Sequence, residues 1–144
     1  MPGCVLHITG KDFDPEAILP QMSVRPYAVF RRGDKQCPEM PARARSYDGG
    51  GFKCDVSSAD GDLRAEAEDA VMFLRRYYDD LRRLAAIPTI ESRYLDFGYY
   101  LRLDGDRCLV QSDELSVTLL KLCAELGIGI MLSLYPAPQP VEGE

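Results

Sequence analysis

A cluster of basic side chains is the first feature of this sequence that could do chemistry. Seven arginine and lysine residues fall between positions 25 and 53 of a 144-residue chain whose formal net charge is −6. The guanidinium fork binds carboxylates and phosphates through two hydrogen bonds. The pattern therefore indicates a site for an anionic small molecule or an acidic protein partner, formed by Arg31, Arg32, Arg43 and Arg45. The alternative is that these residues pair with the surplus of acids in the chain itself.

His7 is the only histidine, and histidine is the side chain that titrates near neutral pH without a perturbing environment. Beside a cysteine or a carboxylate it could act as a general base. Its place in an apolar strand favours instead a half-buried structural role. The five cysteines are scattered, and no pair has the CxxC spacing of a zinc or redox site. We expect reduced thiols, no bound metal and no cofactor.

Motifs for catalysis or phosphate binding are missing from the sequence. It contains no GxSxG, no GxxxxGK[ST] and no GxGxxG turn after a strand. The glycines at 49–51 are not followed by Lys-Ser or Lys-Thr. The adjacent acids Asp79 and Asp80 have arginines one helical turn away, which is typical of solvated ion pairs. The sequence therefore favours a function without catalysis.

Hydrophobic periodicity predicts the elements that must position these residues, in the order β-α-β-β-α-β-β-α-β. Strands are predicted at residues 4–9, 27–32, 52–56, 89–103, 107–110 and 128–135. Helices are predicted after the cap Asp14, over residues 62–86, and from the cap Ser112 to the stop Gly127. On the long helix Leu74 and Leu81 are expected to face the sheet, and Glu66 to lie on the polar side. The glycines at 49–51 are expected to prevent regular structure.

These patterns predict a two-layer α+β sandwich, ferredoxin-like in character, with a mostly antiparallel sheet and the helices on one side. Residues 1–135 are expected to form a single domain, followed by a surface tail at 136–144. Tyr94, Phe97, Tyr99 and Tyr100 either form an exposed aromatic face for a partner or cover the second face of the sheet. An apolar last strand and several tyrosines also predict a homodimer, because a second copy would cover them.

Charge and hydropathy exclude several classes of partner. A pI near 4.8 argues against a nucleic-acid surface. No apolar run approaches the roughly 20 residues that a membrane span requires, and the first residues lack the pattern of a signal peptide. We therefore expect a cytoplasmic protein that binds neither nucleic acid nor a membrane.

Several short segments resemble a known family. They are Asp14-Pro15-Glu16-Ala17-Ile18 after the opening strand, Arg25-Pro26 leading to Arg31-Arg32-Gly33-Asp34, the long helix, and Leu115 to Leu126 before a strand ending at Tyr135. In these segments the chain resembles the DUF4279 family, bacterial small domains of unknown function. The resemblance implies a compact α+β domain and supplies no activity, cofactor or catalytic residue.

The functional hypothesis from sequence is a non-catalytic binding or protein-interaction module. It meets its partner through the sheet or through the basic loop, which is the segment from Arg31 to Lys53. The alternative is an enzyme of unrecognised type that acts on an anionic small molecule near Arg31, Arg32 and His7. A pocket that unites these three residues would favour the enzyme, whereas a flat aromatic surface or an exposed strand edge would favour the module.

Overall fold

The architecture is taken from a computed structural model, which describes residues 2–37, 39–40, 45–107 and 109–138. Its strands are β1 (Gly3–Gly10), β2 (Ala28–Phe30), β3 (Gly50–Ser57), β4 (Ser92–Tyr100) and β5 (Gly129–Tyr135). Its α-helices are α1 (Pro15–Ile18), α2 (Leu63–Arg76), α3 (Tyr78–Ala85) and α4 (Val117–Leu126), and a 3₁₀ turn follows α1. The strands form one sheet in the order β2-β3-β1-β4-β5. All neighbours are antiparallel except β4 and β5, which are parallel.

The core lies on one face of the sheet. Along β1 the side chains alternate, so that Cys4, Leu6 and Ile8 are fully buried while His7 and its open-side neighbours are only half-buried. The helices pack on the buried side through apolar residues of α2, α3 and α4. The α+β class and the placement of the helices on one side are therefore as predicted. The ferredoxin-like character stays a prediction.

The long helix predicted over residues 62–86 is wrong in one respect, because two helices meet there. α2 begins after Asp62, whose side chain accepts a hydrogen bond from the Ala65 N–H. The backbone leaves the helical region at Tyr77 (φ −105°, ψ 22°), and α3 starts after it and buries Leu81 and Leu84. Neither proline nor glycine marks the break, and the apolar spacing continues across it. The periodicity alone therefore predicts one helix.

The glycines at 49–51 are compatible with regular structure, contrary to the prediction. Gly50 and Gly51 open β3 and pair with β1. A Cβ atom on Gly51 would lie 2.2 Å from the Ile8 carbonyl oxygen, and one on Gly50 would lie 2.0 Å from the Phe13 carbonyl oxygen. Residues with side chains cannot approach so closely. The glycines therefore let this end of β3 pack against neighbouring backbone.

The C-terminal third also departs from the prediction. The cap of α4 is Ser116 rather than Ser112, and its hydroxyl accepts a hydrogen bond from the Leu119 N–H at 3.2 Å. Gly127 ends α4 in the left-handed region at φ 65°, as expected. The turn at Asp104 is present, but residues 109–110 are not part of a strand. Residues 136–138 are exposed, and 139–144 lie outside the described part. No helix in the described ranges is long and apolar enough to cross a membrane.

Candidate functional site

The side of the sheet that faces away from the helices, called the open face below, is the candidate functional site. Strand register places Tyr94 of β4, His7 of β1, Lys53 of β3 and Ala28 of β2 side by side across it. Residues paired in this way direct their side chains to the same side of a sheet. No helix of the described residues covers these side chains, and most of them are half-buried by one another.

Two aromatic stacks lie on the open face. The rings of His7 and Tyr94 stack with centroids 4.6 Å apart and planes 8° apart. Those of Phe30 and Tyr47 stack at 3.8 Å and 14°. The Lys53 amino group is 5.9 Å from the Tyr47 ring centroid, within reach of a cation–π interaction. These five residues form a continuous strip across four strands, called the aromatic row below.

Burial and a neighbouring charge both favour the neutral form of the His7 imidazole. Burial lowers its pKa from the usual 6.5, and the Lys53 charge lowers it further, while Asp96 opposes the change. A neutral ring stacked on a neighbour is suited to contact with another surface. It is less suited to proton transfer, because the stack fixes it against Tyr94.

Three of the cysteines lie on the other side of the sheet from His7. Cys4, Cys54 and Cys123 are buried under the helices. Burial raises the pKa of Cys54 to about 12 and that of Cys123 to about 11. These thiols are therefore protonated at neutral pH and poor nucleophiles. The structure does not bring them together with His7. Within the described ranges no three histidine, cysteine or carboxylate side chains are grouped to hold a metal ion.

A second row on the open face is acidic. Asp96 of β4, Val5 of β1 and Asp55 of β3 are neighbours by register. Asp96 accepts a hydrogen bond of 2.6 Å from the Ser133 hydroxyl, which fixes its carboxylate, while Asp55 is exposed. The open face thus presents a strip of aromatic rings with one cation beside a strip with two carboxylates. This gives it a defined charge pattern.

The arginines predicted to form an anion site are only partly brought together. Arg31 and Arg32 line one shallow depression, where the Arg31 guanidinium forms an ion pair with Glu16. Two further carboxylates, Asp12 and Asp14, line the same depression. Arg45 lies in the following loop, where its carbonyl oxygen accepts from the Gln36 N–H. Arg43 lies outside the described residues.

The aromatic side chains of β4 are divided between the two faces of the sheet. Phe97 and Tyr99 are buried in the core, whereas Tyr94 and Tyr100 point to the open side. The Tyr100 hydroxyl donates to Asp60 at 3.3 Å. The four side chains therefore do not form one exposed aromatic face, because neighbours in a strand point to opposite sides.

Glu66 is the residue whose position the sequence analysis missed. It was expected on the polar side of the long helix, but its exposed fraction is 0% and neither carboxylate oxygen has a hydrogen-bond partner among the described residues. Burial, followed by the charge of Asp62, raises its pKa to about 8. Its spacing from Leu63 and Ala70 places it within the apolar stripe of α2. That spacing was the available signal.

No protein-family model, no curated protein and no solved structure matches this chain.

Proposed function

We propose that this protein is a non-catalytic interaction module that binds a protein partner through its open face. The observation that carries the proposal is the aromatic row, in which two ring stacks and Lys53 lie side by side on a sheet surface that no helix of the described residues covers. Four of its five side chains are half-buried, and Phe30, with Tyr47 stacked on it, is 5% exposed. Tyrosine is enriched at the energetic centres of protein interfaces. Rings that are already stacked also lose little conformational freedom when a partner binds.

The shape of the surface favours a protein over a small molecule. The aromatic row crosses four neighbouring strands, a width of about 15 Å at the usual strand spacing. A small ligand is normally enclosed in a cleft that covers most of its surface. A partner that fits this face is a folded protein surface with an acidic group opposite Lys53 and a basic group opposite Asp55 and Asp96.

The geometry gives less support to the alternative of an enzyme acting on an anionic molecule. Such a site needs His7 close to Arg31 and Arg32. His7 lies in the middle of β1, stacked on Tyr94, while Arg31 follows β2 at the edge of the sheet and pairs with Glu16. A cytoplasmic location, the absence of nucleic-acid and membrane partners, and membership of the DUF4279 family all stay predictions.

The test is site-specific photo-crosslinking in the cells that naturally produce the protein. Benzoylphenylalanine replaces Tyr94 on the open face in one variant and Met72, an exposed residue of α2, in the matched control. We expect a discrete adduct with another protein from position 94 and none from position 72. The adduct should disappear when Lys53→Glu is added, because the acidic group opposite Lys53 would then be repelled.

Three results would contradict the proposal. They are the same adduct from both positions, no adduct from position 94, and an adduct that survives Lys53→Glu unchanged. Circular dichroism of each variant checks that the fold is retained.

A further inference from the structure

The last strand of the sheet, β5, lacks the features that normally protect an edge strand. It is seven residues long, GIMLSLY, with no charged residue and no proline, and its register with β4 is regular. Natural edge strands are usually short, charged or interrupted, because an exposed edge pairs readily with other strands. The opposite edge of the sheet follows this rule, since β2 has only three residues.

Exposed apolar side chains accompany the edge. Leu132 and Leu134 lie on the helix side of β5 yet are 50% and 56% exposed. On α4, Glu125 accepts a hydrogen bond from Tyr78 of α3, which identifies the flank of α4 that faces the other helices. Helical geometry places Leu120, 45% exposed, on the opposite flank, toward the edge.

The exposed leucines of α4 and β5 lie at similar distances from the turn that joins these two elements. α4 and β5 both extend from the turn at Gly127. Leu120 is about 9 Å along the helix from Leu126, and Leu132 is about 10 Å along the strand from Gly129. Leu120, Leu132 and Leu134 therefore form one apolar strip beside the backbone edge.

The backbone of the edge is also free to pair. Successive residues of a strand direct their N–H and C=O groups to opposite sides. The Tyr135 carbonyl points toward β4, since it accepts from the Leu101 N–H at 2.8 Å. By alternation, Ile130, Leu132 and Leu134 direct their backbone groups outward, where no strand of the described residues pairs with them.

We propose that a second copy of this chain occupies this edge, with the two β5 strands antiparallel about a two-fold axis at Leu132. In this register Leu132 faces the partner's Leu132, and Ile130 faces the partner's Leu134. These residues direct both their apolar side chains and their free backbone groups to the interface. On the open side, Gly129 leaves room for the large side chain of the partner's Tyr135.

The charge of the strand is the reason for choosing a second copy over another protein. The chain has a net charge of −6, yet its whole β5 strand is uncharged. Two copies can therefore approach along this edge without opposing like charges. An acidic or basic strand from elsewhere would place its charge against an apolar strip with no counter-charge. A two-fold axis also lets one sequence provide both halves of the interface.

This inference does not depend on the proposed function, because it uses the edge of the sheet rather than the open face. The result would be a ten-stranded sheet in which two open faces lie side by side. A partner with two equivalent binding surfaces could then engage both at once, which raises the apparent affinity.

The first test is the molecular mass in solution, measured by sedimentation equilibrium of the whole chain from 1 to 100 µM. We expect twice the monomer mass of 16.1 kDa for the wild-type chain and for the control Met72→Lys. Leu132→Lys should be a monomer across this range, since it would place two lysines against each other at the axis. A monomeric wild type, or Leu132→Lys that remains a dimer, would overturn the proposal.

The second test fixes the register and does not depend on a destabilising charge. In a Cys37→Ser/Cys108→Ser background, Leu132→Cys should give a covalent dimer with a short bis-maleimide, whereas Met72→Cys should not. Cross-linking of both positions to the same extent would indicate random collision and contradict the two-fold arrangement. The photo-crosslinking experiment at Tyr94 is read separately, by the mass of the adduct, so that failure of one proposal leaves the other measurable.

Discussion

The two faces of the sheet differ although the same strands build both. On β1, Leu6 is fully buried under the helices, while its neighbour His7 is half-buried and stacks on Tyr94. The helix side is filled with aliphatic residues, phenylalanines and thiols, and Glu66 is the one carboxylic acid buried there among the described residues. The open side carries aromatic rings, Lys53 and two aspartates.

This difference separates the residues that stabilise the fold from those available for binding, two requirements that often compete. Packing on the helix side gives the free energy of folding, since burial of apolar surface is its dominant favourable term. The open side is then free to carry residues suited to recognition at little expense in stability. Substitutions on the helix side should therefore change the free energy of unfolding, and those on the open side should mainly change binding.

The largest effect is expected for Leu81→Ala on α3. Leu81 is 1% exposed, and truncation would leave a cavity under the helix layer. The expected loss is about 2–5 kcal/mol in the free energy of unfolding. Urea denaturation followed by circular dichroism measures it, with exposed Met72→Ala as the control. A loss below about 0.5 kcal/mol would remove this residue from the core.

Glu66→Gln should give the next largest change in the free energy of unfolding, and it should raise this free energy. The pKa of Glu66 is raised from 4.5 to about 8 in the fold, so the folded state holds a proton that the unfolded state releases. The contribution of this group to stability is therefore present below pH 4.5 and lost as pH rises to 8. Glutamine does not ionise, so the stability advantage of the variant over the wild type should grow by about 4 kcal/mol from pH 4.5 to pH 8.

Thermal melts of both proteins at several pH values between 5 and 8.5 check this. The two curves should diverge as pH rises. Parallel curves of melting temperature against pH would mean that Glu66 does not titrate in this range. The acid in the core would then not differ in its titration from the acids on the open side.

A smaller effect is expected for Tyr94→Ala. Loss of the stack with His7 should destabilise the fold by about 0.5–1.5 kcal/mol. Because His7 is the only histidine, its ring protons can be followed by NMR without overlap. The pKa of His7 should lie below 6.5 in the wild type and rise in Tyr94→Ala, since less of the ring is then buried. Equal His7 titrations in the two proteins would show that the stack does not shield the imidazole.

The smallest effect on stability is expected for the double variant Arg31→Glu/Arg32→Glu. The Arg31 side chain is 61% exposed and its pair with Glu16 is screened by solvent. The free energy of unfolding should change by about 1 kcal/mol or less. The crosslink from position 94 should persist. If the double variant loses the crosslink from position 94, or loses salt-sensitive binding to an anion library, the binding site would lie in the basic loop and not on the open face.

The sequence predicted the parts of the fold that depend on local patterns. Alternation in β1, the Asp14 cap and the Gly127 stop are encoded within a few residues, and they were sufficient for the α+β class. The break at Tyr77 was missed because the backbone turns there without a change in apolar spacing. The burial of Glu66 was missed because its charge was given more weight than its position.

The candidate site was less predictable because it depends on strand order. His7 could be recognised as unusual, but its neighbours Tyr94 and Lys53 are brought to it by pairing across the sheet. Tyr47 comes from a loop that is held by backbone hydrogen bonds to Gly33 and Asp34 and by the ring stack on Phe30. No local periodicity contains this information, since it arises from contacts between residues far apart in the sequence.

The central place of β1 has a consequence for how the chain folds. Both of its neighbours, β3 and β4, come later in the sequence, and the Lys11 N–H bonds to the Glu91 side chain 80 residues away. Contacts between such distant residues form only after a long loop has closed, and closure costs conformational entropy before the contacts stabilise the chain. This slows folding. During synthesis β1 must wait until β4 has left the ribosome. Throughout that interval the backbone edge of β1 that pairs with β4 has no partner and is open to pairing with other nascent chains.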